Sequence, residues 1–307
     1  MQLLKKIARA FARDRRSTVE EFFEEYLLHP TADARDRLFD AYFRSGARIL
    51  LHASAAQEQF LVESSDNFMA REIFVRGSSQ FDRVAYAFDI LRTDLGIDPA
   101  ERTLIDIGAN IGVICVPVVA RGLCKSAIAI EPTPSTCRVL RANIALNGLE
   151  DAVRVYETAL SDSSGFVEFE LSHDNSGDNR VSVKSRENVF DEDRRAKISV
   201  KMSRFDQLFG NLDLGATVVW MDVQGFEGKV LAGASNIISA KPPLVTEFWP
   251  YGMRRAETYE LMRESLSAYG RFRVLDGQSN WRRMSELDAL RDSLSGINFV
   301  DILCAAE

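Results

Sequence analysis

At 307 residues the chain is long enough to bury a complete α/β core and still carry an accessory segment. Its 46% hydrophobic and 27% charged residues match an ordinary globular protein and exclude a disordered or low-complexity chain. A net charge of −7 argues against general nucleic-acid binding, which needs a basic surface to neutralise phosphates. The four cysteines, Cys115, Cys124, Cys137 and Cys304, sit in apolar surroundings with no C-x-x-C pair, which suits reduced thiols in a cytoplasmic protein. No apolar run reaches the length of a membrane span, and no secretory signal is visible.

Residues 1–16 place Leu4, Ile7, Ala8 and Phe11 on one helical face among lysines and arginines. Such a helix could touch anionic lipid, giving peripheral contact with the inner membrane face; docking on its own protein with a solvated basic face is the favoured alternative. From Thr18 to Ala56 the pattern is helical in two runs separated by Pro30, which is expected to start the second. Phe60 to Val75 alternates and is read as paired strands. Gly77 to Leu95 is read as a helix with Phe81, Val84, Ala85, Phe88 and Leu91 inward. Residues 1–95 are therefore read as a mainly helical cap without chemistry of its own, and residues 96–307 as the main domain.

From Thr103 the alternation of strand and helix becomes regular. T-L-I-D-I-G-A-N-I-G is an apolar strand that meets Asp106 and breaks into a turn at Gly108 and Gly112; an apolar helix follows, with Pro117 expected to kink it. S-A-I-A-I-E is a second buried strand ending at Glu131, followed by a helix with Thr133 as N-cap, Pro134 at its first position and Gly148 at its close. V-R-V-Y-E-T-A-L is a third strand. F-V-E-F-E-L and V-S-V-K are antiparallel additions flanking a polar loop, Ser172 to Arg180. Buried strands ending at Asp222 and Glu247, a helix over Glu257 to Tyr269, and the strands R-F-R-V-L and N-F-V-D-I-L-C complete the set. The pattern predicts an α/β, Rossmann-like fold with a mostly parallel seven-stranded sheet and helices on both faces. Asp106, Glu131, Asp222 and Glu247 should converge at the carboxyl ends of its strands.

An acid at the tip of the second strand suits a ribose diol. The turn G-A-N-I-G lacks the G-x-G-x-x-G of dinucleotide folds and puts the side chain of Asn110 where a diphosphate needs space. Together with Asp106 it points to a cationic nucleoside without phosphate, S-adenosyl-L-methionine. An NAD-dependent oxidoreductase and a non-catalytic interaction module that keeps the fold are the alternatives. Calorimetry with S-adenosylhomocysteine against NAD separates all three.

These segments, with A-L-S-D-S-S-G and M-D-V-Q-G-F-E-G-K-V-L-A-G-A, resemble the FkbM family of S-adenosylmethionine-dependent methyltransferases over roughly residues 100 to 250. The resemblance implies a Rossmann-like class I methyltransferase fold and O-methylation of a hydroxyl on a saccharide, glycolipid or related natural product. It places Asp106, Gly108, Asn110 and Gly112 on the methionine side of the cofactor and Glu131 on the ribose. Ala159, Leu160 and Asp162 would enclose adenine, and Asp222 would lie beside the methionine end or the acceptor. Gln224 departs from the family, which more often has an acid there.

Removing a hydroxyl proton during methyl transfer calls for a general base. Asp222, Glu247 and His173 are the candidates, with structural roles for each as the competing reading. The polar loop from Ser172 to Arg180 is expected to tune acceptor choice, facing Trp249 and Tyr251 across the cleft. With only His29, His52 and His173, scattered along the chain, no histidine-based metal site is expected, while an oxygen-only magnesium site stays open.

Overall fold

The computed structural model describes residues 31–54, 57–77, 81–185 and 187–306. The basic segment 1–16 and the first expected helical run lie outside the described residues. Helix α1 (Ala32–Ser45) is N-capped by Thr31, whose Oγ1 accepts from the N–H of Ala34 at 3.2 Å. A hairpin follows, β1 (Leu50–Ser54) against β2 (Gln59–Glu63). The helix expected to reach Ala56 therefore stops early: L-L-H-A-S buries alternate residues, and that period satisfies a strand better than a helix. Conversely, Met69–Arg76 forms helix α2, not a strand, because Ala70, Ile73 and Phe74 recur at helical spacing and are the residues buried. Helix α3 (Phe81–Thr93) matches expectation, with Val84, Phe88 and Leu91 inward.

The central elements are β3 (Thr103–Ile107), α4 (Cys115–Ala120), β4 (Ser126–Glu131), α5 (Pro134–Leu146) and β5 (Val153–Glu157). The chain continues through β6 (Ala159–Leu160), β7 (Gly165–Leu171), β8 (Arg180–Val181), β9 (Ala196–Ser203), α6 (Phe205–Phe209) and β10 (Thr217–Met221). It then forms α7 (Glu227–Ala232), α8 (Ser235–Ala240), β11 (Leu244–Phe248), α9 (Pro250–Ala256), α10 (Tyr259–Leu266), β12 (Arg271–Val274), β13 (Arg282–Arg283), α11 (Leu287–Ser293) and β14 (Val300–Ala305). The main sheet runs β5-β4-β3-β10-β11-β14-β12-β13. The five strands from β5 to β11 are parallel, and β14 enters antiparallel between β11 and β12. The sheet therefore has eight strands where seven were expected, the difference being the two-residue edge strand β13. Strands β6, β9, β7 and β8 form a separate sheet in which β7 and β9 pair antiparallel.

Helices cover both faces because successive strand residues point to opposite sides. Leu104, Ala129, Val218 and Trp220 join one apolar cluster with α3, α4 and α5; Ile105, Ile130, Val219 and Met221 join the other with α6, α7 and α10. Phe39, Val62 and Phe74 from the N-terminal elements belong to the first cluster, so those elements share the core of the sheet. Pro117 does not kink its helix. The chain turns loosely through 111–114 and α4 begins only at Cys115, which puts Pro117 in the first turn, where no N–H is needed.

Candidate active site

At the carboxyl ends of the parallel strands the chain turns sharply. Gly108 ends β3 at φ +89°, and a Cβ there would lie 1.8 Å from the backbone oxygen of Asp222. Only a bare backbone lets the loops after β3 and β10 approach so closely. Gly112 packs inward against Val116 and Leu140 and is not on the cleft wall. Asn110, at φ 48°, is buried, with its Nδ2 3.4 Å from the sulfur of Met69 on α2 and its Oδ1 3.4 Å from the hydroxyl of Ser176.

These turns floor a narrow cleft of about 800 Å³ including its open mouth. Asp106, Gly108, Asn110, Glu131, Ala159, Leu160 and Asp222 all line it, with Phe169 and Phe226 adding apolar surface. Glu131 is 6% exposed; its Oε1 accepts from the N–H of Thr133 at 2.8 Å and its Oε2 from the N–H of Asn110 at 3.2 Å. Asp106 accepts from the N–H of Cys115 at 3.1 Å, which ties it to the start of α4. Burial pushes both carboxyls up to about 7 despite these hydrogen bonds. Asp162 is not on the cleft wall; its carboxylate holds Lys229 of α7 at 2.7 Å.

A wider cleft opens beside the first and shares Met69, Gly177, Asp222 and Gln224 with it. Glu247, His173, Trp249, Phe68 and Phe299 stand on its walls. Of the four strand-end acids, Asp106 and Glu131 face the narrow cleft, Glu247 faces the wide one, and Asp222 stands at the junction. Gln224 links the last two: its Nε2 donates to Asp222 Oδ1 at 2.7 Å and to Glu247 Oε2 at 3.2 Å. Burial raises the pKa of Asp222 and lifts Glu247 well above the usual carboxylate range, with Asp222 repelling the latter.

The loop from Ser172 to Arg180 is the partition between the two clefts. Ser176, Gly177 and Asn179 face the narrow one, and His173 is an exposed wall residue of the wide one. The loop is pinned by Asp66, which accepts from the N–H of Ser176 at 3.0 Å and from its hydroxyl at 2.5 Å. Beneath it lies an ionic network. Arg180, 1% exposed, reaches Glu170, Asp178 and Glu192 at 3.0, 2.7 and 2.8 Å. Arg195 holds Asp178, and Arg255 holds Glu170 at 2.7 Å. Tyr251 belongs to this network, donating to Glu192 at 2.7 Å, and lies off the wide cleft; Trp249 lines that cleft and donates its Nε1–H to Ile297.

Residues 106–272, more than half of the chain, match the family model described as "Methyltransferase FkbM domain". The chain belongs to the FkbM methyltransferase family. The methyl donor of this family is S-adenosyl-L-methionine. A 2-O-methyltransferase, NoeI, of Sinorhizobium fredii (strain NBRC 101917 / NGR234) is 26% identical over 164 residues, which are 50% of this chain and 65% of that protein. Thus the match takes in less than two thirds of the relative's length. Among solved structures, P. horikoshii TYW2 in complex with MeSAdo is 14% identical, with 89% of this chain and 84% of that one covered at a TM-score of 0.38. M. jannaschii TYW2 in complex with AdoMet is 14% identical, with 84% and 86% covered at a TM-score of 0.39.

Several cleft residues of this FkbM methyltransferase carry no sequence signal. Met69 lines both clefts from a helix that alternation disguised as a strand, and Thr158, Phe169, Val181 and Phe226 come together only through the second sheet. Among the described residues no helix is long and apolar enough to cross a membrane.

Proposed function

We propose that the chain transfers the methyl group of S-adenosyl-L-methionine to a hydroxyl oxygen of a saccharide, glycolipid or related natural product. The observation that carries this reading is the junction at Asp222, where a narrow, acid-lined cleft meets a wide one. The narrow cleft suits the cofactor in charge: Asp106 and Glu131 are buried and Asp222 half-buried, all three are raised by desolvation, and among the described residues none of them is in an ion pair. A ligand bearing a sulfonium and an ammonium supplies the missing positive charge, whereas a diphosphate would be repelled. In this reading Glu131 accepts from the ribose hydroxyls, Ala159 and Leu160 lie against adenine, and Asp106 and Asn110 stand toward the methionine end.

When bound, the cofactor supplies an electrophilic methyl: a C–O bond forms as the S–C bond breaks and the sulfonium becomes a neutral thioether. The residues of the chain hold the acceptor oxygen in line, which is the main source of rate in such a displacement. Asp222 takes the hydroxyl proton, because it alone of the candidate bases faces both clefts. Gln224 keeps Asp222 in place beside Glu247. His173, exposed on the far wall, serves acceptor contact. The reading is supported by the FkbM family match and by the likeness to a 2-O-methyltransferase.

The test is transfer of radiolabelled methyl from S-adenosylmethionine to a panel of glycosides and glycolipids, with base-stable ether products expected. Asp222→Asn should lose about 100-fold or more in rate with cofactor affinity changed much less. Label appearing only on nitrogen or carbon of an acceptor would replace this reading.

A further inference from the structure

Behind the junction lies a group of carboxylates that the methyl-transfer reading leaves uncompensated. Oxygens of Asp222, Glu227 and Glu247 lie within 4.8 Å of one another. Glu227 is fully buried. Its Oε1 accepts from the N–H groups of Val223 at 3.0 Å and Gly225 at 3.3 Å, while its Oε2 is buried with no hydrogen-bond partner. Among the described residues no Lys, Arg or His forms an ion pair with any of the three, and Arg83, whose charge reaches Asp222, is itself held by Asp301. Glu227 and Glu247 are buried and Asp222 half-buried, and carboxylates so placed are ordinarily paired or bound to a metal. Burial raises all three, Asp222 repels Glu227 and Glu247, and Asp301 repels Asp222.

The Nε2 of Gln224 donates to Asp222 and Glu247 and so stands where a positive charge would. Half a turn about the last bond of that side chain exchanges its nitrogen for Oε1, turning a donor into a fourth oxygen ligand of the same shape. Asp222, Gln224 and Glu247 line the wide cleft, which gives an entry path, and Glu227 backs them.

We propose that Asp222, Gln224, Glu227 and Glu247 form a binding site for one hard divalent cation of the magnesium, manganese or calcium class. An all-oxygen donor set selects these ions over zinc or copper. What the ion does rests on the O-methyl-transfer reading: its open side faces the cleft where the acceptor hydroxyl enters, and coordination lowers the pKa of that hydroxyl. Asp222 keeps a second oxygen to receive the proton. Binding of the ion is independent of the acceptor, so the proposal stands or falls separately from that reading.

The full chain, stripped with chelator, is titrated with Mn²⁺ by calorimetry and by electron paramagnetic resonance, with Mg²⁺ as competitor. One site per chain is expected. Glu227→Gln and Glu247→Gln should each weaken it by about tenfold or more while S-adenosylhomocysteine still binds and melting stays cooperative. Gln224→Glu adds a carboxylate and should tighten binding by about tenfold, a gain that misfolding cannot imitate. No binding up to about 5 mM Mn²⁺, weaker than even the extracellular calcium modules, overturns the proposal. So does an affinity unchanged in all three variants, which would mark an ion held elsewhere on the acidic surface.

Discussion

Glu131 offers a quantitative handle on the cofactor cleft. Its carboxyl is buried and pushed up to about 7, so near neutral pH it is about half protonated before ligand arrives. A ribose diol donates to the ionised form, and binding must therefore release a proton. At about pH 7 the release should be about half a proton per molecule from this group, and below that each titrating carboxyl weakens affinity about tenfold per pH unit. Through Glu131 alone, affinity for S-adenosylhomocysteine should accordingly fall about 50- to 100-fold between about pH 8 and about pH 5. Calorimetry in two buffers of different ionisation enthalpy measures both the affinity and the proton count. Glu131→Gln keeps the shape and an acceptor oxygen but loses the charge. It should bind about 10- to 100-fold more weakly at about pH 8, the effect of losing charged hydrogen bonds of about 1.5–3 kcal/mol. Its pH profile should be shallower by about one proton, the remaining slope coming from Asp106, which titrates in the same window. A variant as steep in pH as the natural chain would show that the ribose does not meet Glu131.

Folding itself should respond to the same carboxyls. Because Asp106 and Glu131 are raised above their ordinary 3.8 and 4.5, the stability they confer is present at low pH and lost as pH rises through about 7; the ligand-free protein should melt lower at about pH 8 than at about pH 5.5, and S-adenosylhomocysteine should narrow the gap. Scanning fluorimetry checks the sign, and a rise with pH contradicts it. Gly108→Ala drives a Cβ into the backbone of Asp222 at positive φ, so it should cost well over the ~1–2 kcal/mol of left-handed strain alone and damage folding as well as binding. A normally melting Gly108→Ala protein would show the two loops to be further apart than described. Arg180→Met strips the central cation from Glu170, Asp178 and Glu192 and should destabilise by about 3–5 kcal/mol in denaturant melts. A loss under about 1 kcal/mol would mean that the network is solvated.

The sheet was legible because its strands are buried on both faces and read as unbroken apolar runs ending in acids; T-V-V-W-M and L-V-T-E-F are buried at every position. The acids themselves were legible for the same reason, since a carboxylate closing such a run has few structural excuses. The N-terminal elements were not: L-L-H-A-S and M-A-R-E-I-F-V-R are each too short for periodicity to separate helix from strand, and the core they share with β3 and α4 decides between them. Glycine also misled in part. Gly108 and Gly112 both sit at positive φ, but the first serves a backbone crossing and the second a helix contact, so spacing alone overstated their role in ligand contact. Tyr251 and Asp162 were drawn from the cleft by partners far away in sequence, Glu192 and Lys229, which no local pattern reveals.

A crystal structure of the full chain with S-adenosylhomocysteine tests the central claim most directly. The ribose hydroxyls should lie within hydrogen-bond distance of Glu131, adenine against Ala159 and Leu160, and the sulfur should face the wide cleft beside Asp222. A nucleoside lodged in the wide cleft, or one whose sulfur points away from Asp222, would contradict the account.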